Sequence, residues 1–309
     1  MIRVGHVSLG DTGVTALYCG EHGAVASVDV RGGGPGTRET DLLEPHNTVE
    51  RVHAIVLSGG SAFGLAAADG AMRELATHGI GFPVFGESIP GPRVPIVPGA
   101  VIFDLIVGEV HYPAAEDGAV AICAAMAADD DAVGTVGAGC GATAGKLRGG
   151  FGRAALQVPT ASGEFTVEAF MVANPVGEVI DVATGRLFGD PRYGIDPQAY
   201  AEVPDPKQAK LNTTIGAVAT DAPLTKAQAK RLALTAHDGI ARAVRPAHSP
   251  LDGDTIFGLS TAVENPGVDA LAMAQLCAAA ADAVEAAIVA AVTGAVPGYG
   301  LTTYGELAR

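Results

Sequence analysis

His53-Ala54-Ile55-Val56-Leu57-Ser58-Gly59-Gly60-Ser61-Ala62-Phe63-Gly64-Leu65 joins a short apolar, partly β-branched run to a Ser-Gly-Gly-Ser turn and then to a stretch whose apolar positions recur with a period of 3.6 as far as His78. A continuous apolar run bounded by glycine suits a strand buried on both faces, over residues 54–57, and the stretch after it suits a helix over 62–78. A strand that feeds directly into a helix is the unit of α/β architecture.

The same alternation extends in both directions. Residues 3–6, 15–19 and 24–30 read as strands divided by glycine turns, and a glycine-rich loop covers 31–40. Downstream come a strand at 101–106, a helix at 116–127, a glycine-rich stretch at 134–152, and strands at 153–158 and 165–173. Residues 189–210 turn polar, carry Pro191, Pro197, Pro204 and Pro206, and read as a linker. A strand at 214–220 follows, then a helix at 226–244 with Thr225 as its N-cap, a loop with Pro246 and Pro250, a strand at 255–259 and a long helix at 268–292. Strands and long helices in mixed order imply stacked layers of sheet and helix in one domain over 1–309, and no repeat of fixed period occurs.

Composition narrows the function classes. Lys plus Arg number 19 and Asp plus Glu 34, for a net charge of −15, and no basic run occurs, so nucleic acid and anionic membrane are not expected partners. Apolar residues make up 48% and charged residues 17%, enough for a sizeable core. The 42 glycines are roughly twice the usual share, which implies many tight turns and close backbone approaches. Cys19, Cys123, Cys140 and Cys277 lack C-x-x-C spacing and read as small core residues in a reducing compartment; no signal-peptide pattern opens the chain, so a cytoplasmic location is expected. The stretch 268–292 is apolar enough to resemble a membrane span but carries Asp269, Gln275, Asp282 and Glu285, and is expected to be a buried alanine-rich helix.

Several motifs nearly form. The turn at Ser58-Gly59-Gly60-Ser61 misses a nucleophile elbow because Phe63 stands where glycine is needed, and a dinucleotide fingerprint because Ser61 does. A helix N-terminus there still favours a carboxylate or an oxyanion. The run from Gly137 to Lys146 misses a phosphate loop, having Cys140 and Leu147 where Gly and Ser or Thr are required; Lys146 could place a positive charge in a cleft or simply be solvated. The eight histidines form no H-x-x-x-H pair, and Asp252-Gly253-Asp254 lacks further calcium-loop ligands, so neither a metal nor a cofactor is expected. On spacing alone Asp252-Gly253-Asp254 also suits a polar turn before a strand.

Asn212-Thr213-Thr214-Ile215-Gly216 follows the linker, and Asp252 and Asp254 come about forty residues later. A threonine hydroxyl needs a base to act as a nucleophile; one solution frees its own α-amine, of reference pKa about 8, by cutting the chain before it. Alone, such a triplet is common and usually marks a turn or strand start.

Three stretches in this order, residues 31–40, 53–65, and Asn212-Thr213-Thr214-Ile215 followed by Val218-Ala219-Thr220-Asp221-Ala222-Pro223-Leu224, resemble the DmpA-type L-aminopeptidase/D-amidase-esterases, a group that includes the nylon-oligomer hydrolase NylC and the β-aminopeptidases. The resemblance runs from Arg3 to about Val292. It implies a layered αββα sandwich of the DmpA/ornithine-acetyltransferase type, and a precursor that cuts itself between Asn212 and Thr213 into an α chain of 1–212 and a β chain of 213–309, with Thr213 as nucleophile. It further implies that Asp252 and Asp254 are the downstream carboxylates, as in the nylon-oligomer branch, that Asn174 holds the oxyanion and that Lys146 is the active-site lysine. Ser61 and Phe103 would line the substrate site; Phe103 stands where peptidase members carry a tyrosine, so one contact to the oxyanion or leaving group is missing and efficient aminopeptidase activity is in question.

In the resulting scheme Thr213 Oγ attacks a small peptide or amide, its amine or Asp254 takes the proton, Asp252 holds Asp254 or the Thr213 ammonium, and water clears the acyl-enzyme. Two carboxylates this close are expected to titrate as a pair. Tetramers or octamers of processed chains are what the resemblance implies for assembly. The alternatives are an amino-acid N-acyltransferase of related fold and an uncleaved protein that binds a small ligand.

Overall fold

The computed structural model describes residues 1–205 and 212–309. In chain order the main elements are β1 (Arg3–Ser8), β2 (Gly13–Tyr18), β3 (Ala24–Val30), β4 (Thr37–Arg38), β5 (Arg51–Val52), β6 (Ala54–Ser58), α1 (Ala66–Thr77), β7 (Gly99–Val101), α2 (Ala115–Ala127), β8 (Gly150–Thr160), β9 (Gly163–Ala173), α3 (Pro197–Glu202), β10 (Ile215–Thr220), α4 (Lys226–Ala243), β11 (Thr255–Ser260) and α5 (Ala270–Thr293). One sheet has the order β1-β2-β6-β7-β4 and the other β8-β9-β10-β11-β3-β5. Helices α1 and α2 cover the first sheet, α4 and α5 the second, and the bare faces of the two sheets meet. This is the four-layer αββα sandwich.

Side-chain alternation shows why the strands read as unbroken apolar runs. In β6, Ile55 and Leu57 enter the core between the sheets, whereas Ala54 and Val56 enter the core under α1 and α2. In β9, Phe170 and Val172 face the other sheet and Ala169 and Met171 face the α4–α5 layer. Each strand is buried on both faces, so period-2 polarity disappears. Helix α5 packs into the second core through residues such as Leu276, Val284 and Ile288, and is the buried alanine-rich helix its composition suggests. Asp269, read as a charge within that helix, is its N-cap and accepts the Leu271 and Ala272 amides. Thr225 caps α4 as expected, accepting the Gln228 amide.

Three expectations are corrected. The helix after the Ser-Gly-Gly-Ser turn begins as a 3₁₀ turn, Ser61–Leu65, before α1. The strand expected at 101–106 stops at Val101, because the chain bends to bring Asp104 beneath the turn. The linker is no linker in its described part: α3, capped by Asp196, lies within it, and Tyr200 is buried in the second core with its hydroxyl on Glu178. Pro206 and the rest of that stretch, residues 206–210, fall outside the described residues.

Glycines make the layers close. A Cβ on Gly118 of α2 would lie 1.8 Å from the Ala67 carbonyl oxygen, and one on Gly70 of α1 would lie 1.6 Å from that of Ala115, so the two helices cross backbone to backbone. Gly118→Ala is therefore expected to destabilise the protein by about 1–3 kcal/mol, read from denaturant midpoints. Gly305→Ala, where a Cβ meets nothing within 4 Å among the described residues, serves as the control and stays within about 0.5 kcal/mol. Equal midpoints for the two variants would contradict this packing.

Candidate active site

Strands β10 and β11 run parallel, with Ile215 opposite Thr255, so the residues just before each strand are neighbours. Antiparallel β9 and β3 end at the same edge, which brings Asn174 and the loop after Val30 there too. From the facing sheet, parallel β6 and β7 deliver Ser58–Ser61 and Val101–Asp104 to this end. Six separate chain segments thus converge between the sheets.

Asn212 and Thr213 are buried at the centre of this convergence. The Asn212 amide donates to Leu251 O at 3.2 Å and that of Thr213 to Asn174 O at 2.9 Å. Thr213 Oγ1 donates to the carbonyl oxygen of Asn212, the residue before it. Asn174 is wholly buried: its Oδ1 accepts the Thr143 amide at 2.8 Å and its Nδ2 donates to Phe103 O at 3.2 Å, partners that fix which end of the amide is which. Asn212 Nδ2 donates to Pro175 O at 3.0 Å, whereas its Oδ1 is buried with no hydrogen-bond partner among the described residues.

Asp252 and Asp254 are each about 1% exposed. Their hydrogen bonds run apart, and none joins one carboxylate to the other among the described residues. Asp252 accepts the amides of Val176 and Ser249, at 3.0 and 3.1 Å, and the Ser249 hydroxyl. Asp254 accepts the Thr214 amide on Oδ1 at 2.8 Å and, on Oδ2, the His248 amide at 3.1 Å and ring Nδ1 at 2.7 Å. Each carboxylate is a brace between loops. His248 went unnoticed in the sequence because no metal or triad spacing marks it; its place six residues before Asp254 was the available signal. Its ring meets that of His237 edge-to-face at 4.9 Å, and burial holds His237 at a pKa of about 4.

The glycine-rich loop at 31–36 also gains a reason. A Cβ on Gly32 would lie 2.3 Å from Asp252 O, one on Gly33 2.3 Å from Pro250 O, and one on Gly253 2.5 Å from Gly34 O. Only glycines let this loop lie flat against the one that carries both aspartates. The Gly34 amide then donates to Asp252 O at 2.9 Å and that of Arg31 to Asp254 O at 2.7 Å.

At the Ser-Gly-Gly-Ser turn, the amides are spoken for within the chain. Gly59 donates to Gly13 O, Ser61 to Ile102 O, and Gly60 to Asp104 Oδ1 at 2.6 Å. The carboxylate that a helix N-terminus favours is supplied by Asp104 itself, so the turn is not an open anion site. Asp104 also accepts the Thr12 hydroxyl at 2.7 Å, yet burial pushes its pKa up to about 6. Ser61, at φ +54°, and Phe103 border a cleft of about 160 Å³ with Gly34, Leu251, Asn212 and Thr213, so both expected substrate-site residues stand beside the expected nucleophile. Phe103 borders the cleft and accepts the Asn174 amide on its carbonyl. Lys146 differs: it turns a hairpin whose Thr143 bonds Asn174, but its Nζ donates to Ala201 O at 3.2 Å and lies over the Tyr200 ring, away from the residues that border the cleft.

A profile of peptidase family S58 matches residues 1–303. The chain belongs to peptidase family S58. A Mycobacterium leprae protein called an uncharacterized aminopeptidase is 45% identical over 98% of this chain and 91% of its own length. The 6-aminohexanoate-oligomer endohydrolase of a Kocuria species is 30% identical over 83% of this chain and 71% of its own. Among solved structures, a Burkholderia β-aminopeptidase superposes with a TM-score of 0.76 at 24% identity, covering 98% of this chain and 87% of that one. The L-aminopeptidase/D-Ala-esterase/amidase of Ochrobactrum anthropi, described as a variant of the Ntn-hydrolase fold, gives 0.73 at 20%, with 98% and 88% covered. The S58 chain is a hydrolase of peptide or amide bonds, and the DmpA-type resemblance and the αββα fold both hold.

The raised pKa of Asp104 yields a stability prediction. Its folded value of about 6 lies above the unfolded one, so the folded state binds the extra proton and stability from this group falls as pH rises from about 4 to about 6. Buried His6, His53 and His237, each lowered to about 4, act oppositely, stability rising as pH climbs from about 4 to 6.5. Asp104→Asn leaves the histidines untouched, so the urea midpoint of the variant relative to the native chain is expected to rise between pH 4.5 and pH 7. Parallel pH curves would show that Asp104 carries no such cost.

Proposed function

We propose that this S58 hydrolase matures by cutting itself between Asn212 and Thr213 and then hydrolyses small peptides or amides with Thr213 as an N-terminal nucleophile. The observation that carries this is the contact of Thr213 Oγ1 with the Asn212 carbonyl, at a peptide that borders the cleft itself. In maturation Oγ1 bonds to the Asn212 carbonyl carbon, the C–N bond breaks, the Thr213 nitrogen gains the proton lost by the hydroxyl, and the resulting ester is hydrolysed by water. This leaves Asn212 as a carboxylate and Thr213 with a free hydroxyl and a free amine.

In turnover the amine, or Asp254, accepts the hydroxyl proton as Oγ1 attacks the substrate carbonyl. The proton passes to the leaving amine, and water attacks the ester in the second half. Asn174, one residue past β9 and bonded through its carbonyl to Thr213, is the donor to the developing oxyanion once its amide turns from Phe103 O. Asp252 holds the loop that carries Asp254. Lys146 adds positive charge to the site only once its Nζ leaves Ala201 O, which holds it away from the cleft. The uncharged side chains around the cleft, with Ser61 and Phe103 among them, suit an uncharged acyl segment, as an internal unit of a 6-aminohexanoate oligomer would present. Assembly into oligomers belongs to the same reading and is supported by Phe85 and Ile89, 57% and 60% exposed on a projecting hairpin; a cytoplasmic setting is supported by the four free cysteines.

Intact mass under denaturing conditions is expected to show two chains, residues 1–212 and 213–309. Thr213→Ala should remain whole and inactive on amide and ester substrates, and a cut or active Thr213→Ala protein would overturn the assignment. Asn174→Ala is expected to lower kcat by about 100-fold, the cost of one lost oxyanion donor.

A further inference from the structure

We infer that His248 is a positioning residue for the Thr213 reaction, acting through Asp254; the inference rests on Thr213 being the nucleophile. Asp254 is buried and divides its two oxygens. Oδ1 accepts the Thr214 amide at 2.8 Å, one peptide from the nucleophile, and Oδ2 accepts both the amide and the ring Nδ1 of His248, at 3.1 and 2.7 Å. A carboxylate only accepts, so Nδ1 carries the hydrogen and donates it. The ring is fixed from behind by His237, edge-to-face at 4.9 Å and 68°, whose Nε2 sits 3.1 Å from Asp29 O.

The backbone points the same way. His248 has φ +55°, a left-handed conformation that histidine adopts only at a cost. In that conformation its two N–H groups converge on a single carboxylate oxygen. The torsion of an aspartate carboxyl about its last bond is soft, so a carboxylate held only by the Thr214 amide is free to swing. Two donors on Oδ2 and one on Oδ1 set its plane, and through Thr214 they set where Thr213 presents its hydroxyl. A line of contacts runs from α4 through His237, His248 and Asp254 to Thr214, the residue after the nucleophile.

Two substitutions separate the ring donor from the backbone. His248→Gly accepts the left-handed φ and removes the donor; His248→Asn also tolerates that φ and places an amide N–H near the position of Nδ1. With both full-length proteins folded, as judged by thermal midpoint, His248→Gly is expected to slow self-cutting and lower kcat by up to about 100-fold with KM within about twofold, and His248→Asn to recover most of both rates. His248→Gly cutting and turning over like the native chain would overturn the inference. So would His248→Asn failing as fully as His248→Gly, since the donor would then not be what matters. A native chain that stays whole, together with an active Thr213→Ala protein, would instead sink the nucleophile assignment beneath it.

Discussion

The parallel pairing of β10 with β11 is the constraint from which the site follows. Parallel neighbours begin at the same end of a sheet, so Thr213 and Thr214, just before β10, lie beside Asp252 and Asp254, just before β11, although about forty residues of chain, including α4, separate them. The crossover helix has to leave and return on the outer face, which puts α4 over the second sheet and leaves the inner face to meet the first. With antiparallel pairing, the starts of the two strands would lie at opposite ends. The bond between the Thr214 amide and Asp254 locks this arrangement at the point where the ladder stops.

What surrounds that bond is polar and buried, which is costly unless each group finds a partner. Asp252, Asp254 and Asn174 find theirs almost wholly among backbone amides and carbonyls of other loops. These side chains therefore do for the loops what strands do for the sheets. The glycines of 31–36 and Gly253 let backbones approach closely enough for such bonds to form, and a methyl group at Gly33 or Gly253 would push the two loops apart. The Oδ1 of Asn212, without a hydrogen-bond partner among the described residues, and the left-handed Ser61 and His248 all lie at this end of the sandwich. Strain and unsatisfied polarity of this kind collect where a site must do chemistry.

The layered fold was legible where burial acts on both faces of a strand: Ile55 and Leu57 look to one core and Ala54 and Val56 to another, so an apolar run without alternation announces a sandwiched strand. The capping residue Thr225 was legible because its partner, the Gln228 amide, lies three residues on. Residues 102–104 were not, because the bend that ends β7 is imposed by a distant partner, the Gly60 amide, and nothing local demands it. Tyr200 was hidden by the prolines around it, which suggest a linker although a capped turn of helix drives that ring into the core. In the site, Thr213, Asn174, Asp252 and Asp254 were found by resemblance and not by spacing, since the contacts that unite them span up to 76 residues.

Asp104 shows how a local rule can be right and still mislead. The helix N-terminus at Ser58–Ser61 does favour a negative group, as its dipole requires, but the chain provides that group from 44 residues away. The consequence reaches beyond the turn. A carboxyl with a pKa near 6, directly after cleft-lining Phe103, makes the charge beneath this wall of the cleft sensitive to mild acid, while burial keeps His237, behind His248, neutral over the same range. Acidification from neutral pH thus protonates Asp104 beneath the turn before it reaches buried His237, so the two groups take up their protons in separate steps.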